Sequence, residues 1–359
     1  MEVPGRVQIG WIQVLEFRNH RALSYSPSPK LNLVIGPNAR GKTNLLEALG
    51  FLLSGRSFRT PRLGEIPTWG AVRACVAGEL RRSDAARTVR RVIQRLDSGA
   101  WKASGEDCPW ARAVAFGWQD LEILHGAPSA RRDFIDGFAA RLYPSHRAAL
   151  VRFRQILARR NLLLQQPVPE GAMTARLAPW DEQLAAVGME LVDRRRRAVA
   201  ALQTEIARIY PALAGARHKV EVRYRGSLGE AMEPAAYLAA LEGARRADVR
   251  RGQTTVGPHR DDLSMEIDGV DARAYGSRGQ QRLLALGLRL AEVLPIREAV
   301  GTAPVLLLDD ALSELDGDVR ANVLREIASA EQVFLTAPEP VEAVDAARWT
   351  IVEGEVAAA

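Results

Sequence analysis

Alternating apolar and polar residues at the start of the chain predict β-strands. Residues 7–17 mix β-branched and aromatic side chains, and residues 31–35 form a short apolar run that ends at Gly36. Helical spacing follows at residues 43–53. Alternation returns over residues 72–96, which is typical of an antiparallel sheet with one face in water. The first third is therefore predicted to be a strand-rich lobe with one buried helix.

The spacing of apolar residues becomes helical in the middle of the chain. Apolar side chains recur at intervals of three, four and seven over residues 150–164, and at intervals of three and four over residues 199–209. The segment QQPVPEGAMT, residues 165–174, is predicted to be a short loop that joins an antiparallel helical pair too short for a coiled-coil arm. Residues 220–224 are predicted to be a strand.

Continuous apolar segments alternate with helical patterns in the last third. Strands are predicted at residues 304–308 and 333–336, and helices at residues 280–294 and 319–328. Such strands imply a parallel sheet covered by helices on both faces. The pattern predicts an α/β lobe, with a mixed sheet and an antiparallel edge, built from both chain ends around an inserted, mainly helical domain.

Charge is distributed unevenly over the three segments that we predict as parts of these domains. Residues 1–125 carry 18 basic and 11 acidic side chains, residues 126–250 carry 21 and 13, and residues 251–359 carry 10 and 19. Two basic segments before an acidic one are compatible with a polyanionic partner. The 45 arginines against 4 lysines indicate a GC-rich genome and are not by themselves evidence for nucleic-acid binding.

Composition excludes several classes of protein. With 47% apolar and 26% charged residues, the chain is neither disordered nor collagen-like. Its apolar stretches fall short of the roughly 18–20 residues of a membrane span, and its start lacks the order of a signal peptide, so a cytoplasmic location is expected. Cys75 and Cys108 form no C-x-x-C pair, which argues against a disulfide framework and a zinc site.

Residues 36–43, GPNARGKT, fit the P-loop pattern G-x-x-x-x-G-K-[ST] between an apolar strand and a helix. Backbone N–H groups at the helix N-terminus would enclose the phosphates of ATP or GTP. Lys42 would neutralise phosphate charge, and the Thr43 hydroxyl would bind Mg²⁺. The predicted nucleotide-binding residues are Gly36, Pro37, Asn38, Ala39, Arg40, Gly41, Lys42, Thr43 and Asn44.

The apolar segment VLLL delivers Asp309 and Asp310 to the end of a predicted strand. This is the form of a Walker B motif, which would lie beside the P-loop at the same edge of the sheet. Asp309 would hold Mg²⁺, and Asp310 would orient the attacking water and accept its proton. The alternative is that the two aspartates cap a helix starting near Ser313.

The segment SRGQQ resembles the signature motif of ABC-type ATPases. Ser277, Arg278, Gly279 and Gln280 stand at the start of a helical pattern that precedes Asp309. A serine hydroxyl, a glycine and a helix N-terminus suit a second anion site. The resemblance implies that this surface binds the γ-phosphate held by another subunit, which makes ATP the link of a head-to-head dimer. A simple helix cap is the alternative.

Further positions extend the resemblance to ABC-type ATPases. Ser313 and Asp316 lie in SELD after the two aspartates and resemble the D-loop, which crosses the dimer interface. Gln119, after apolar residues 113–116, is the candidate for the Q-loop residue that senses Mg²⁺ and γ-phosphate, and a solvated glutamine is the alternative. Thr336 ends a late strand, where ABC proteins usually have a switch histidine.

Over nearly its whole length the chain resembles the RecF family of SMC-like DNA repair ATPases. The motifs that carry the resemblance are LEFRNHRAL, GPNARGKTNLLEAL, GRSFRT, PSARRDFID, GPHRDDL, SRGQQRLLALGLRLAE and LLLDDALSELD. The resemblance implies an ABC-type ATPase head that uses ATP and Mg²⁺, forms an ATP-dependent homodimer and binds DNA. It further implies a weak, DNA-stimulated, nucleoid-associated ATPase that works with RecR and RecO, loads recombinase at single-strand gaps, and supports the SOS response and replication.

The sequence departs from the family pattern at three places. Ala39 and Arg40 replace the usual Gly and Gln, and we expect Ala39 to be accommodated because that position need not have a positive φ. Trp118 and Gln119 replace the usual Pro and Glu, which leaves the register of the Q-loop open by one residue. Asp310 stands where transporters have Glu, and the shorter side chain predicts slow turnover, as in a switch.

Arginines supply the candidate contacts to DNA or phosphate. Arg59 in SFRT is a candidate because guanidinium groups pair bidentately with phosphate, with a solvated arginine as the alternative. The run Arg194, Arg195, Arg196 and Arg197 spreads charge around a predicted helix, so a solvated face and a DNA contact both stay open. Zinc-finger, aromatic RNA-binding and helix-turn-helix patterns are missing from the sequence, and any DNA binding is expected to be independent of base sequence.

Two other functions fit parts of the sequence. An SMC-like head acting as an ATP-gated scaffold would usually have an arm of hundreds of residues, whereas the predicted insertion spans residues 126–250. The ATPase subunit of an ABC transporter would need a membrane partner and normally a switch histidine, and Thr336 and the GPHRDDL segment argue against it.

Overall fold

The computed structural model describes residues 6–167, 170–229, 233–341, 345–352 and 355–359, except for the side chains of residues 170, 171 and 352. These residues separate into two compact units. The first unit consists of Met1–Leu121, Arg208–His218 and Ser277–Ala359, and the second unit of Glu122–Ala207 and Lys219–Gly276.

Two sheets form the first unit, and its N-terminal part supplies all of one of them. The elements here are β1 (Gln8–Phe17), β2 (His20–Tyr25), β3 (Leu31–Ile35), α1 (Lys42–Ser54), β4 (Arg73–Arg82), β5 (Ala85–Arg95), β6 (Trp101–Gly105) and β7 (Ala113–Phe116). The antiparallel sheet has the order β2-β1-β4-β5-β6, which confirms the strands predicted from alternation. Its inner face packs against α1 through apolar side chains such as Leu49, Leu52, Val76 and Val89.

The second unit holds most of the helices predicted in the middle of the chain. Its elements are α2 (Glu122–His125), α3 (Pro128–Leu142), α4 (His146–Leu164), α5 (Glu170–Ala214), β8 (Val220–Arg225), α6 (Pro234–Arg251), β9 (Asp262–Ile267), β10 (Val270–Asp271) and α7 (Ala272–Tyr275). The last residues of α5, from Arg208, belong to the first unit. The strand predicted at residues 220–224 is confirmed as β8.

Two expectations for this region were wrong. The predicted loop at residues 165–174 is shorter, because α5 already begins at Glu170; residues 168–169 lie outside the described part of the chain. Met173 and Leu177 pack against Leu164, and this contact favours an early start of the helix. The insertion also extends beyond residue 250, because β9 pairs with β8 in a three-stranded sheet of order β10-β9-β8.

The C-terminal part of the first unit completes its parallel sheet. The elements are α8 (Arg278–Leu290), α9 (Val293–Val300), β11 (Val305–Leu308), α10 (Gly317–Ile327), β12 (Val333–Ala337), β13 (Ala347–Val352) and β14 (Glu355–Ala358). The sheet has the order β14-β13-β3-β12-β11-β7, and every pairing except that of β14 is parallel. The carboxyl ends of β3, β12 and β11 therefore meet at one edge.

The sequence predicts that no segment is long and apolar enough to span a membrane. Within the described residues, no helix combines the length and the apolar content needed to cross a bilayer.

Candidate nucleotide-binding site

The P-loop connects the buried strand β3 to helix α1. Gly41 has a φ of 101° and precedes the first residue of the helix, and a Cβ there would lie 2.7 Å from the Asn19 side chain, so the position requires glycine. Ala39 has a φ of 65°. The expectation that this alanine avoids positive φ was therefore wrong, and the left-handed conformation costs about 1 kcal/mol.

Lys42 lies folded into the P-loop. Its Nζ donates to the carbonyl oxygens of Gly36 at 2.5 Å and Pro37 at 2.9 Å, and the residue is 9% exposed. Burial lowers the pKa of the ammonium, whereas the nearby charges of Asp309 and Asp310 raise it. The loop thus holds a cation at the place where the sequence predicts phosphates.

Asp309 meets Thr43 across one intervening strand, β12. The two carboxylate oxygens lie 2.9 and 2.8 Å from Thr43 Oγ1, although the residues are 266 positions apart. Thr336, at the end of β12, donates from Oγ1 to Asp309 at 2.8 Å. Burial raises the pKa of Asp309, and the hydrogen bonds from Thr336 and Thr43 oppose that shift. The predicted Walker pair is therefore in direct contact.

The oxygen atoms of Thr43 and Asp309 fit the hard-donor preference of Mg²⁺. Within the described residues, no group of three or more His, Cys, Asp or Glu side chains is arranged to hold a metal ion. Mg²⁺ is typically bound by one or two carboxylates together with substrate phosphates and water. The Asp309 carboxylate and the Thr43 hydroxyl fit such a site. The two residues would hold the ion only in company with a nucleotide.

Hydrogen bonds to its backbone groups fix the position of Asp310. It has a φ of 51°, its N–H donates to Thr336 Oγ1 at 2.8 Å, and its carbonyl accepts from Arg282 at 2.5 Å. Thr336 thus fixes both aspartates at the end of β11. Sequence reasoning missed Arg282, which lies on the buried side of α8 with its guanidinium 6.0 Å from the ring centre of Phe116.

A cavity of about 460 Å³ opens at this edge of the sheet. It is lined by Asn19, Asn38, Ala39, Gly41, Lys42, Thr43, Asn44, Arg59, Trp118, Arg282, Asp309, Asp310 and Thr336. Three cationic and two carboxylate side chains face it, a balance that suits an anionic ligand. Sequence reasoning also missed Asn19, whose Oδ1 accepts from Asn44 Nδ2 at 2.7 Å.

Gln119 lies in a turn of 3₁₀-helix that spans Trp118–Leu121 and is not among the residues that line the cavity. Its neighbour Trp118 lines the cavity and is 65% exposed. The next residue, Asp120, pairs with Arg289 at 2.6 Å and is buried. The role of Gln119 as a sensor of nucleotide stays a prediction.

Arg59 reaches the cavity from the segment after α1. It donates to Asn44 Oδ1 at 2.7 Å and to Glu47 Oε2 at 3.0 Å. Glu47 is fully buried and also accepts two hydrogen bonds from Arg18, at 2.7 and 2.8 Å, and one from Ser57 at 2.6 Å. One buried carboxylate therefore holds two arginines, of which Arg59 faces the predicted phosphate site.

The SRGQQ segment forms the N-terminus of α8. Ser277 accepts from the Gln280 N–H at 3.3 Å, and the Gln280 side chain accepts from the Ser277 N–H at 2.9 Å. The helix-cap interpretation is confirmed, and Ser277, Arg278, Gly279 and Gln280 are all exposed outside the cavity lining. Contact with another subunit's nucleotide stays a prediction.

The SELD segment also contains a helix cap. Asp316 caps α10 by accepting from the Val319 N–H at 2.9 Å. Ser313 donates its N–H to the Asp310 carbonyl at 3.2 Å, which ties the segment to the Walker B strand. Both residues stay predicted D-loop contacts.

The arginine run on α5 does not form one surface. Arg195 is 2% exposed, pairs with both oxygens of Asp136 at 2.8 Å, and donates to the Pro258 carbonyl at 2.7 Å. Neither alternative left open for this run, a solvated face or a DNA contact, fits Arg195, because the buried carboxylate already occupies its guanidinium. Arg194 pairs with Glu190, Arg196 donates to the Gly229 carbonyl, and Arg197 pairs with Asp193.

Comparison with known proteins identifies relatives of this chain. The family model described as RecF/RecN/SMC N terminal domain matches residues 8–350. The chain is 36% identical over 341 residues to the DNA replication and repair protein RecF of Synechococcus sp. (strain JA-3-3Ab), and the match covers 91% of this chain and 90% of that protein. The chain belongs to the RecF family. A second RecF, from Lactobacillus delbrueckii subsp. bulgaricus (strain ATCC 11842), is 37% identical over 334 residues, covering 89% and 88% of the two chains.

Solved structures agree with this assignment to the RecF family. The recombination mediator protein RecF with ATP, in the RecFOR pathway, superposes with a TM-score of 0.86 at 28% identity, covering 99% of this chain and 100% of that chain. The same mediator with ATPrS gives a TM-score of 0.85 at 29% identity, covering 98% of each chain. The Smc head domain of Pyrococcus furiosus, at 17% identity and a TM-score of 0.54, covers 98% of this chain and 95% of its own and shows the same fold. The predicted ABC-type ATPase head is confirmed.

Proposed function

We propose that this chain is an ATP-dependent DNA-binding protein of recombinational repair that hydrolyses ATP slowly. The observation that carries the proposal is the direct contact of Thr43 with Asp309, at the mouth of a cavity that also holds Lys42 and Asp310. Curated relatives with this sequence pattern are DNA replication and repair proteins, and a solved relative holds ATP.

Each cavity residue has a task that follows from its chemistry. The P-loop N–H groups and Lys42 bind phosphate, and Thr43 and Asp309 would hold Mg²⁺, which would neutralise charge on the phosphate oxygens. Asp310 orients a water molecule and accepts its proton. The aspartate side chain is one methylene shorter than glutamate, so it holds that water less closely, and turnover is slow enough for the protein to act as a switch.

ATP binding closes a homodimer in this proposal. Ser277 and its neighbours are exposed at the N-terminus of α8, so they are available to a nucleotide held by a second copy. Closure on single-stranded, duplex or gapped DNA would be independent of sequence. By analogy with the RecFOR pathway of the solved relatives, RecR and RecO are the expected partners in loading recombinase and supporting replication and the SOS response. Such work places the protein in the cytoplasm at the nucleoid.

Light scattering tests this proposal through the mass of the protein in solution. We expect the wild-type mass to double on addition of ATP and Mg²⁺. Ser277→Arg should stay monomeric because a bulky cation would replace the small hydroxyl at the second anion site. Ser83→Arg, the same change in the exposed turn between β4 and β5, should still dimerise. A wild type that binds ATP without any change in mass would contradict the proposed dimer.

A further inference from the structure

The antiparallel sheet of the first unit has one face that packs on α1 and one outer face. Cross-strand register aligns Arg73 of β4 with Gln94 of β5, and Gln94 with Lys102 of β6. These three side chains are exposed, and they alternate with Ala74, Ile93 and Ala103, which face the core. A row of polar and cationic side chains therefore crosses three strands on the outer face.

Apolar side chains lie next to this row without a covering partner in the described chain. Leu15 of β1 pairs with Cys75, which is two residues from Arg73 on the same face, and Leu15 is 52% exposed. Val72, directly before β4, is 63% exposed. Burying such side chains against a ligand would be favourable.

Trp69 stands at the end of the same sheet and is 101% exposed. Its turn is ordered by backbone hydrogen bonds, from the Thr68 N–H to the Glu16 carbonyl at 2.9 Å and from the Ala71 N–H to the Thr68 carbonyl at 2.8 Å. The Arg95 N–H donates to the Val72 carbonyl at 2.8 Å, so the turn continues the pairing of β4 with β5. The indole is therefore presented to solvent by a fixed turn.

The cations at this end of the sheet have no carboxylate partner. Among the described residues, the two cations of the outer row, Arg73 and Lys102, form no ion pair. At the other end of the strands, Arg81 pairs with Glu79 and Arg82 with Asp84. The outer face thus carries uncompensated positive charge at the end of the sheet that carries Trp69.

We propose that this Trp69 face, defined as Leu15, Trp69, Val72, Arg73 and Lys102, binds single-stranded nucleic acid. Trp69 stacks on an unpaired base, and Arg73 and Lys102 contact the phosphates on either side. An exposed indole beside unpaired cations is the combination that single-strand binding requires, because every base offers a π-face and every nucleotide a negative charge. A base within a duplex is already stacked on both sides and cannot take up the indole in this way. The inference rests on the proposed DNA-binding function and assigns it a surface.

Binding of a labelled oligothymidylate of about 16 nucleotides, followed by fluorescence anisotropy, tests the assignment. Trp69→Ala should weaken binding by about tenfold, and Trp69→Phe, which keeps an aromatic ring, by less than about threefold. The double variant Arg73→Ala and Lys102→Ala should weaken binding and flatten its dependence on salt. Lys30→Ala removes one exposed cation from the turn before β3 and should bind like the wild type.

The ATP-driven change in mass, measured on the same variants, separates this inference from the proposed function. The Trp69→Ala variant should dimerise in either case. If it also binds the oligonucleotide as tightly as the wild type, the binding role of the Trp69 face is overturned and the proposed function stays intact. Equal losses for the oligonucleotide and for a duplex of the same length would overturn the assignment to single strands. A wild type that dimerises and binds the duplex but not the oligonucleotide would overturn the face and leave DNA binding intact. One that dimerises and binds neither would overturn both the face and the DNA-binding part of the proposed function.

Discussion

Glu47 has no predicted role in the nucleotide site, yet its contacts position Arg59 at the cavity. It lies on α1, one turn beyond the P-loop, and its fully buried carboxylate accepts hydrogen bonds from Arg18, Ser57 and Arg59. A buried carboxylate is tolerated only when such partners offset the loss of hydration. Glu47 therefore positions Arg59 at the cavity while it stabilises the hairpin that carries Arg18.

Replacing Glu47 by Gln should both destabilise the protein and weaken nucleotide binding. The neutral amide leaves two arginines without their counter-charge, and we expect the free energy of unfolding to fall by about 3 kcal/mol. Arg59 would no longer be held at the cavity, so ATP affinity should fall about tenfold while ADP affinity changes less. Denaturant unfolding and nucleotide titration measure the two effects.

Glu65→Gln is the matched control for Glu47→Gln. Glu65 pairs with Arg62, and its side chain is 45% exposed, so water screens the pair. The free energy of unfolding should stay close to that of the wild type. Equal effects of the two substitutions would contradict the role assigned to Glu47.

At the scale of elements, buried ion pairs connect helices that are distant in the chain. Asp136 of α3 lies 2.9 Å from Nε2 of His146, the first residue of α4, and pairs with Arg195 of α5. Burial alone would raise the pKa of Asp136, but hydrogen bonds from His146 and Arg195 hold it at about 2. The ionised carboxylate thus joins three helices of the second unit.

The depressed pKa of Asp136 predicts a loss of stability in acid. Because the folded-state pKa of about 2 lies below the ordinary value of 3.8, the contribution is fully present above about pH 4 and is lost as the pH falls towards 2. The difference corresponds to about 2 kcal/mol. Thermal unfolding between pH 5 and 2 measures it, and Asp136→Asn should reduce the slope of stability against pH. An unchanged slope in this variant would show that other carboxylates cause the loss.

Element patterns were predictable from sequence where local spacing decides them. Strands β3, β7 and β11 and helix α1 follow from short apolar runs and helical periodicity, and each was located to within about two residues. The pairing of β8 with β9 was not predictable, because it joins segments separated by helix α6. Arg195 looked like a surface charge because periodicity alone does not show which neighbour buries a polar side chain.

At the scale of the whole molecule, net charge and its distribution determine long-range attraction to polyanions. The formal charge is +6, but residues 251–359 carry an excess of acidic side chains, and many arginines of the described chain are already paired with carboxylates. Total charge therefore overstates the number of phosphates that the protein can contact.

DNA binding should depend strongly on salt and weakly on base sequence. Contacts to phosphates release counterions, so raising monovalent salt from about 50 to about 200 mM should lower the affinity at least about tenfold. Two unrelated oligonucleotides of equal length should show the same affinity, because phosphate contacts carry no sequence information. Titration at several salt concentrations measures both effects, and salt-independent binding would contradict an electrostatic interface.

The amino-acid sequence by itself determined the chemistry of this protein. The P-loop pattern, the two aspartates after an apolar strand and the RecF-like motifs each depend on residues that are adjacent in the chain. Only the tertiary structure decided which side chains from distant segments share a site. Thr336, Arg282 and Glu47 reach their partners through the order of strands and the packing of α1 and α8, and Trp69 is exposed because no other described segment covers that face. Local patterns encode elements and motifs, whereas contacts across the fold depend on packing that no short stretch of sequence contains.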